Sequence, residues 1–184
     1  MPLRGTRFVG GTRGEWTVQR LEPVIGAGLG AVDRVTITED VNFAAERGGW
    51  LLRGVASYER YVTRPERDAL ERLQPSLGRP TATCAALIPI AKSAEWWALP
   101  QDERRRVFEE SSRHIATGLR YLPAVARRLY QCRDLGEAFD FLTWFEYAPA
   151  DARAFEECVA ILRSTEEWHY VEREVDIRLR HAGA

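Results

Sequence analysis

The sequence predicts an α+β fold in which two ferredoxin-like repeats form an antiparallel α/β barrel. Segments with strand alternation and segments with helical periodicity follow one another in the order strand–strand–helix–strand, and this order occurs twice. One more helix separates the two copies. The chain of 184 residues, 45% of them hydrophobic, is long enough for one large domain. We therefore expect a single domain, 1–184, with an N-terminal half, 1–92, and a C-terminal half, 93–184, although no convincing sequence identity relates them.

The N-terminal half begins with strand signals in a glycine-rich stretch. Residues 16–24 and 32–39 have strand character, and the run 26–30 between them matches GxGxG. No helix pattern follows that run, so it lacks the strand–turn–helix context of a phosphate-binding loop. We interpret it as a turn.

A strand, a helix and a second strand complete this half. Residues 50–61 form the first strand, and Thr63–Glu66 then has capping-box spacing with a proline in the first turn of a helix. The buried stripe of that helix is predicted to be Leu70, Leu73 and Leu77. Residues 81–90 are apolar enough to form a central strand.

The C-terminal half begins with a helix that carries His114. Pro100 can occupy its first turn, and Asp102 and Glu103 suit the positive end of its dipole. One helical face is marked by Val107, Phe108, Ser111, Ile115 and Gly118. His114 lies on or beside that face, where a histidine is more often a core residue with one hydrogen bond than a ligand.

Two strands, a helix and a final strand follow. The two strands are predicted over 124–132 and around Phe141. The helix begins near Pro149, with Ala152, Phe155, Val159 and Leu162 facing inward, and the final strand covers 167–180. Alternation in the first strand puts Arg127 on the same side as Val125 and Leu129. An inward arginine favours an anion, although a salt bridge across the barrel is the commoner role for an arginine in a strand.

The final strand suggests a partner for His114. Its parity puts Glu167 and His169 on the apolar face and Glu166 in water. A buried carboxylate is costly unless it is paired, and a metal-ligating imidazole commonly donates its second N–H to such a group. Glu167 is the natural partner of His114, but a structural pair between Glu167 and an arginine fits about equally well.

Composition excludes several classes of function. With 26 basic and 27 acidic residues, the net charge of -1 offers no field for nucleic acid or membrane. No apolar run approaches the ~20 residues of a membrane span, and no signal-peptide run is present, so a cytoplasmic location is the default. Three cysteines without metal-site spacing indicate reduced thiols.

Three runs carry a family resemblance. IPIAKSAEWW, RRLYQCRDLGEAFDFLTWFEYAP and LRSTEEWHYVEREVDIRL, together with the histidine helix, resemble the chlorite dismutase family, specifically its short, dimer-forming branch. The resemblance extends from about Trp50 to the C-terminus. It implies the dimeric α+β barrel fold, a homodimer, haem b as cofactor in the C-terminal half and chlorite as a small anionic substrate.

The resemblance also implies roles for individual residues. His114 would be the axial ligand of the haem iron, Glu167 its hydrogen-bond partner and Arg127 the distal residue over the iron. Gln74 could hydrogen-bond Arg127, and the haem edge would meet Lys92, Trp96, Trp97 and Tyr61. The macrocycle would lie inside the barrel, in a pocket lined by groups such as Leu129, Leu142 and Phe145.

The implied activity is that of an oxidoreductase, a chlorite O2-lyase. It converts chlorite to chloride and dioxygen through ferryl and hypochlorite intermediates, with Arg127 holding the oxyanion. Two alternatives stay open. One is another haem enzyme of the superfamily, coproheme decarboxylase-like or peroxidase-like, although the decarboxylases generally lack an arginine at this place. The other is a non-catalytic haem-binding protein.

Overall fold

The computed structural model describes residues 5–57 and 59–183, which form eight strands and five α-helices. The strands are β1 Gly5–Gly11, β2 Trp16–Ile25, β3 Arg34–Thr38, β4 Trp50–Ala56, β5 Cys84–Lys92, β6 Val125–Gln131, β7 Phe141–Tyr147 and β8 Val171–His181. The α-helices are α1 Arg64–Leu73, α2 Ala94–Ala98, α3 Gln101–Arg105, α4 His114–Tyr121 and α5 Ala152–Arg163. The predicted α+β class is confirmed.

The strands close into an antiparallel barrel in the order β1-β3-β2-β8-β5-β7-β6-β4. The central pairs are long: β5 pairs with β7 from Cys84 opposite Tyr147 to Ile90 opposite Phe141. The join between β4 and β6 is short, with Val55 opposite Gln131 and Ala56 opposite Tyr130. The order of elements in the C-terminal half is the predicted strand–strand–helix–strand, whereas the N-terminal half has four strands before its helix. The division at residue 92 stays a prediction.

The interior of the barrel is a packed core. Phe8 packs edge-on against Tyr130, with 5.2 Å between ring centroids, and Trp16 packs edge-on against Trp144 at 5.1 Å. The buried side chains around these rings are Val35, Trp50, Leu52, Ala85, Leu87, Ala91, Cys132, Phe139, Leu142, Val175, Ile177 and Leu179. Interiors of small barrels are filled in this way. The predicted macrocycle site inside the barrel is therefore wrong.

A second apolar cluster lies on the outer face of the sheet, under α5. All nine residues of β5 are buried, because alternate side chains enter the barrel while Cys84, Ala86, Ile88 and Ile90 face Phe155 and Val159 of α5. β5 is thus the central strand that its composition predicted. The outer face of the sheet, covered by helices, is where a ligand pocket can form.

Several predicted boundaries are corrected by the structure. β1 was not predicted, because glycines interrupt its alternation. The strand expected over 50–61 ends at Ala56, and the final strand starts at Val171, since Glu166–Tyr170 forms a 3₁₀ helix. In α1 only Leu70 is buried, while Leu73 is 41% exposed.

No helix within 5–57 and 59–183 is long and apolar enough to cross a membrane.

Candidate active site

A cavity lies between the outer face of the sheet and the helices. Its volume is about 170 Å³, counted as space that the centre of a water molecule can reach, roughly tenfold more than one water needs. Most of the lining is apolar, and its polar members are Glu59, Arg60, Tyr61, Lys92, Trp96, His114, Tyr121, Arg127, Thr143, Cys158, Glu167, Trp168 and Glu174. His114 enters from the helices, and Arg127 enters from the sheet.

A break in the helix places His114. The predicted continuous helix is wrong: α3 runs into a π-helix, Arg106–Ser111, and Arg113 then takes a left-handed conformation with φ 52°. His114 is consequently the first residue of α4. The carboxylate of Glu109 accepts from the backbone N–H groups of Ile115 (2.6 Å) and Ala116 (3.2 Å), which satisfies donors that a helix start leaves open.

His114 is held on two sides. Its ring stacks on Phe108, with centroids 4.3 Å apart and planes inclined by 20°. Its Nδ1 lies 2.6 Å from Oε2 of Glu167. Because Nδ1 is engaged by the carboxylate, Nε2 is the nitrogen left for a ligand.

Glu167 bridges His114 and Lys92. Its Oε1 accepts from Nζ of Lys92 at 2.7 Å, and its backbone N–H donates to the hydroxyl of Ser112 at 2.9 Å. Burial opposes ionisation of Glu167, but the charges and hydrogen bonds of His114 and Lys92 outweigh it and hold the pKa at about 2. The carboxylate is therefore ionised and ready to accept the imidazole N–H.

Arg127 lies on the predicted side of β6, with Val125 and Leu129. Its Nη2 is 3.8 Å from Oε1 of Glu59. Desolvation lowers the pKa of the guanidinium, and Glu59 partly offsets that effect. From β7 the cavity is lined by Phe141, Thr143 and Phe145, whereas the predicted Leu142 faces the barrel interior, because adjacent residues of a strand point to opposite sides.

A family model described as chlorite dismutase matches residues 42–180. The chain belongs to the chlorite dismutase family.

Individual relatives agree with this membership. A dimeric chlorite dismutase from Nitrobacter winogradskyi is 57% identical, with a TM-score of 0.89 over 96% of this chain and 99% of that one. A mutant chlorite dismutase from Candidatus Nitrospira defluvii, 21% identical, shares the fold with a TM-score of 0.67 over 95% and 90% of the two chains. The chlorite dismutase of Ideonella dechloratans is 37% identical over 62 residues, which are 34% of this chain and 20% of that protein's length.

Lys92 lies deeper in the site than the resemblance implied. Its ammonium is bound by Glu167 and sits 4.6 Å from the ring centroid of Trp96 and 5.5 Å from that of Trp168. A buried ammonium is stable only with such partners. Lys92 therefore supports Glu167, and the role predicted for it at a haem edge, as a partner of propionates, is corrected.

Of the other residues predicted at the haem edge, Tyr61 and Trp96 line the cavity, and Trp97 lies behind its wall. Tyr61, with φ 59°, packs its ring on Trp96 and Phe108 at centroid distances of 6.0 and 5.5 Å, and all three line the cavity. Trp97 does not line it. Its Nε1 donates to Asp140 at 3.1 Å and its ring stacks on Phe141, so it supports the wall from behind.

Gln74 contacts Arg127 through the backbone. Its Nε2 donates to the carbonyl oxygen of Arg127 at 3.0 Å. Its buried Oε1 has no hydrogen-bond partner among the described residues. The predicted bond to the arginine side chain is absent from this conformation, although an acceptor for one is present.

The lining also contains residues that were not predicted, among them Glu59, Arg60 and Cys158. Glu59 and Arg60 line the cavity from the loop after β4, and Arg60 lies 5.6 Å from the ring centroid of Phe141. Cys158 lines it from α5, where burial raises its pKa to about 11, so it stays a thiol. The charged pair Glu59–Arg60 directly after a strand was the only available signal, and it resembles an ordinary solvated loop.

Proposed function

We propose that this protein is a haem b-dependent chlorite dismutase, which converts chlorite to chloride and dioxygen. One observation carries the proposal: a single apolar cavity receives a carboxylate-backed imidazole, His114, from its helix side and a guanidinium, Arg127, from its sheet side. An axial ligand and a fixed cation are what haem-dependent oxyanion chemistry needs.

The residues present fit a haem. A Cβ built on Gly118, one turn after His114 on the cavity wall, would meet nothing within 4 Å, so the helix leaves open space beside the imidazole. Within the part of the chain that the structure describes, no three His, Cys, Asp or Glu residues cluster as a metal site. A lone histidine beside an apolar space suits an iron that a macrocycle already holds.

The roles of the residues follow from their contacts. His114 would bind the iron through Nε2, and Glu167, held ionised by Lys92, would make that imidazole a stronger donor. Aromatic side chains such as Trp96 and Phe145 would pack on the macrocycle, and Arg60, in the loop after β4, would meet a propionate. When bound, haem supplies an iron that can take an oxygen atom from chlorite and return it.

Arg127 would act on the anions. Its guanidinium is a permanent charge that can donate two parallel hydrogen bonds to an oxyanion. It would hold chlorite for oxygen transfer and keep hypochlorite within the cavity until the oxygen–oxygen bond forms. The apolar walls exclude water and so strengthen this attraction.

The test is oxygen release from chlorite. We expect one dioxygen per chlorite when haem-loaded protein and chlorite are mixed at an oxygen electrode, with His114→Ala and Arg127→Ala as comparison variants. A Soret band without dioxygen would overturn the proposal and favour a haem-binding protein. Absence of a Soret band would remove the cofactor assignment as well.

We further propose a homodimer, on the basis of the 57% identical relative described as dimeric. Light scattering should give about 42 kDa, twice the 21.0 kDa of one chain. A particle of one chain at micromolar concentration, or a pentamer, would contradict it. The cytoplasmic location stays a prediction.

A further inference from the structure

The guanidinium of Arg127 faces a carboxylate that lines the same cavity. Nη2 of Arg127 and Oε1 of Glu59 are 3.8 Å apart, and both side chains are mostly shielded, with 25% and 30% of their surfaces exposed. Shielding from water strengthens an ion pair relative to a fully exposed one. Glu59 therefore cancels part of the positive field that Arg127 would otherwise present to an incoming anion.

Glu59 also lines two neighbouring cavities. Besides the large apolar cavity, it lines a smaller polar one that shares Arg127 with it. The other residues around the smaller cavity are Ala56, Ser57, Gln74, Arg128 and Leu129. The Glu59–Arg127 pair thus forms part of the boundary between the two spaces.

The guanidinium has another acceptor available if it leaves Glu59. Gln74 lines the smaller cavity, and its buried Oε1 has no partner among the residues of 5–57 and 59–183. An unsatisfied buried acceptor is costly, so a donor that reaches it is stabilised. Gln74 therefore offers an unpaired amide oxygen in a cavity that Arg127 also lines.

From these contacts we infer that Glu59 sets anion affinity, as a carboxylate that neutralises Arg127 until chlorite displaces it. The inference rests on the proposed function, since it concerns the same anion. Glu59 is then a positioning residue, because it acts on the substrate through Arg127. It should weaken the binding of every monovalent anion by a similar factor, the product chloride included.

The test is a double-mutant cycle on azide binding. In the haem-loaded protein, read from the Soret band, Glu59→Gln should bind azide about two- to fivefold more tightly than wild type, the range for removal of one partly screened charge. In an Arg127→Ala background the same substitution should change azide affinity less than twofold. Glu71→Gln is the matched control, because Glu71 forms a similar pair with Arg67, at 3.7 Å, far more exposed on α1.

Two results would overturn the inference: unchanged azide affinity in Glu59→Gln, or an equal gain when Arg127 is absent. The same cycle followed by urea unfolding of haem-free protein tests the pair without any cofactor, and zero coupling there would also count against it. Neither cycle uses chlorite. A failure of oxygen release would therefore sink the proposed function alone.

Discussion

His114 Nδ1 lies 2.6 Å from Glu167 Oε2, and this contact joins the π-helix break to the 3₁₀ helix that precedes β8. The other oxygen of the same buried carboxylate binds Lys92. Glu167 thus links His114 and Lys92 into a group of three residues. Lys92 affects the orientation of the imidazole through Glu167, without contacting the imidazole itself. Removal of Glu167 would leave the Lys92 ammonium buried without its carboxylate, and removal of Lys92 would leave the buried carboxylate with the imidazole alone.

Lys92→Met should therefore destabilise the protein strongly. Removal of one partner of a buried ion pair typically costs about 3–5 kcal/mol, and methionine keeps most of the side-chain volume. Urea unfolding of the haem-free protein measures this loss of unfolding free energy. Adding Glu167→Gln should recover part of the loss, because no buried charge is left unpaired. Arg67→Met, in an exposed pair on α1, is the control and should change stability by less than ~0.5 kcal/mol.

His114→Ala should abolish axial ligation. The cavity would keep its walls but lose the imidazole nitrogen, so the Soret band should shift and haem should be lost on gel filtration. His169→Ala and His181→Ala are matched controls, since both side chains are exposed and neither lines the cavity. Loss of the wild-type Soret band in either control, with His114→Ala unaffected, would contradict the assignment.

Arg127→Ala should separate anion control from cofactor binding. Haem and its ligation should be retained, while azide affinity falls by about 1–3 kcal/mol for a lost charge-assisted hydrogen bond. More hypochlorite should reach a chlorination trap, and the oxygen yield per chlorite should fall. Arg127→Lys should be intermediate, because it keeps the charge but not the forked geometry.

Arg128→Ala is the control for Arg127. Arg128 is the adjacent residue of β6, and its exposed side chain lines the smaller cavity but not the large one in which the anion would bind. It should behave as wild type in all three measurements. Wild-type behaviour of Arg127→Ala would instead show that the distal cation lies elsewhere.

Gly118→Leu tests the position of the pocket. Open space beside Gly118 should allow the protein to fold, and leucine is the better helix former by up to ~1 kcal/mol. The added side chain would occupy the cavity, so haem titration should show clearly weaker binding. Ala116→Leu, exposed on the same helix, should load haem normally. Equal haem affinity in the two variants would place the cofactor away from α4.

Glu66 should make stability depend on pH. Arg105 donates to both its oxygens, at 2.7 and 2.8 Å, and these bonds, against a smaller effect of burial, lower its pKa from 4.5 to about 2. The carboxylate is thus stabilising above about pH 4.5, and this stabilisation is lost as pH falls toward 2. Glu66→Gln should melt lower than wild type at pH 7, and the two melting temperatures should converge below pH 3. A constant difference between pH 7 and pH 3 would contradict the pairing.

The sequence was informative wherever a residue's place follows from its immediate neighbours. Alternation in β6 put Arg127 with Leu129 on the correct side, and the composition of β5 marked it as central. The capping box before α1 also formed as predicted, with the Thr63 backbone N–H donating to Glu66 at 2.7 Å. These features depend on contacts between residues a few positions apart.

The tertiary structure decided which face of the sheet holds the pocket. Periodicity assigns side chains to two faces, but both faces of β5 are buried, and only strand closure shows that one of them fills the barrel. That is why Leu142 was placed in the pocket. Parity also failed at His169, which is exposed, because Glu166–Tyr170 is helical rather than extended.

By itself, the sequence determined the α+β class and the strands around Arg127, and it left open whether Glu167 pairs with His114 or with an arginine. The tertiary structure decided that Glu167 pairs with His114, that Lys92 binds the same carboxylate, that Glu59 faces Arg127, and that the cavity lies outside the barrel. Lys92 is 75 positions from Glu167, and Glu59 is 68 from Arg127. No local pattern records such contacts, because burial and charge pairing over these separations arise only when the closed barrel brings its strands and loops together.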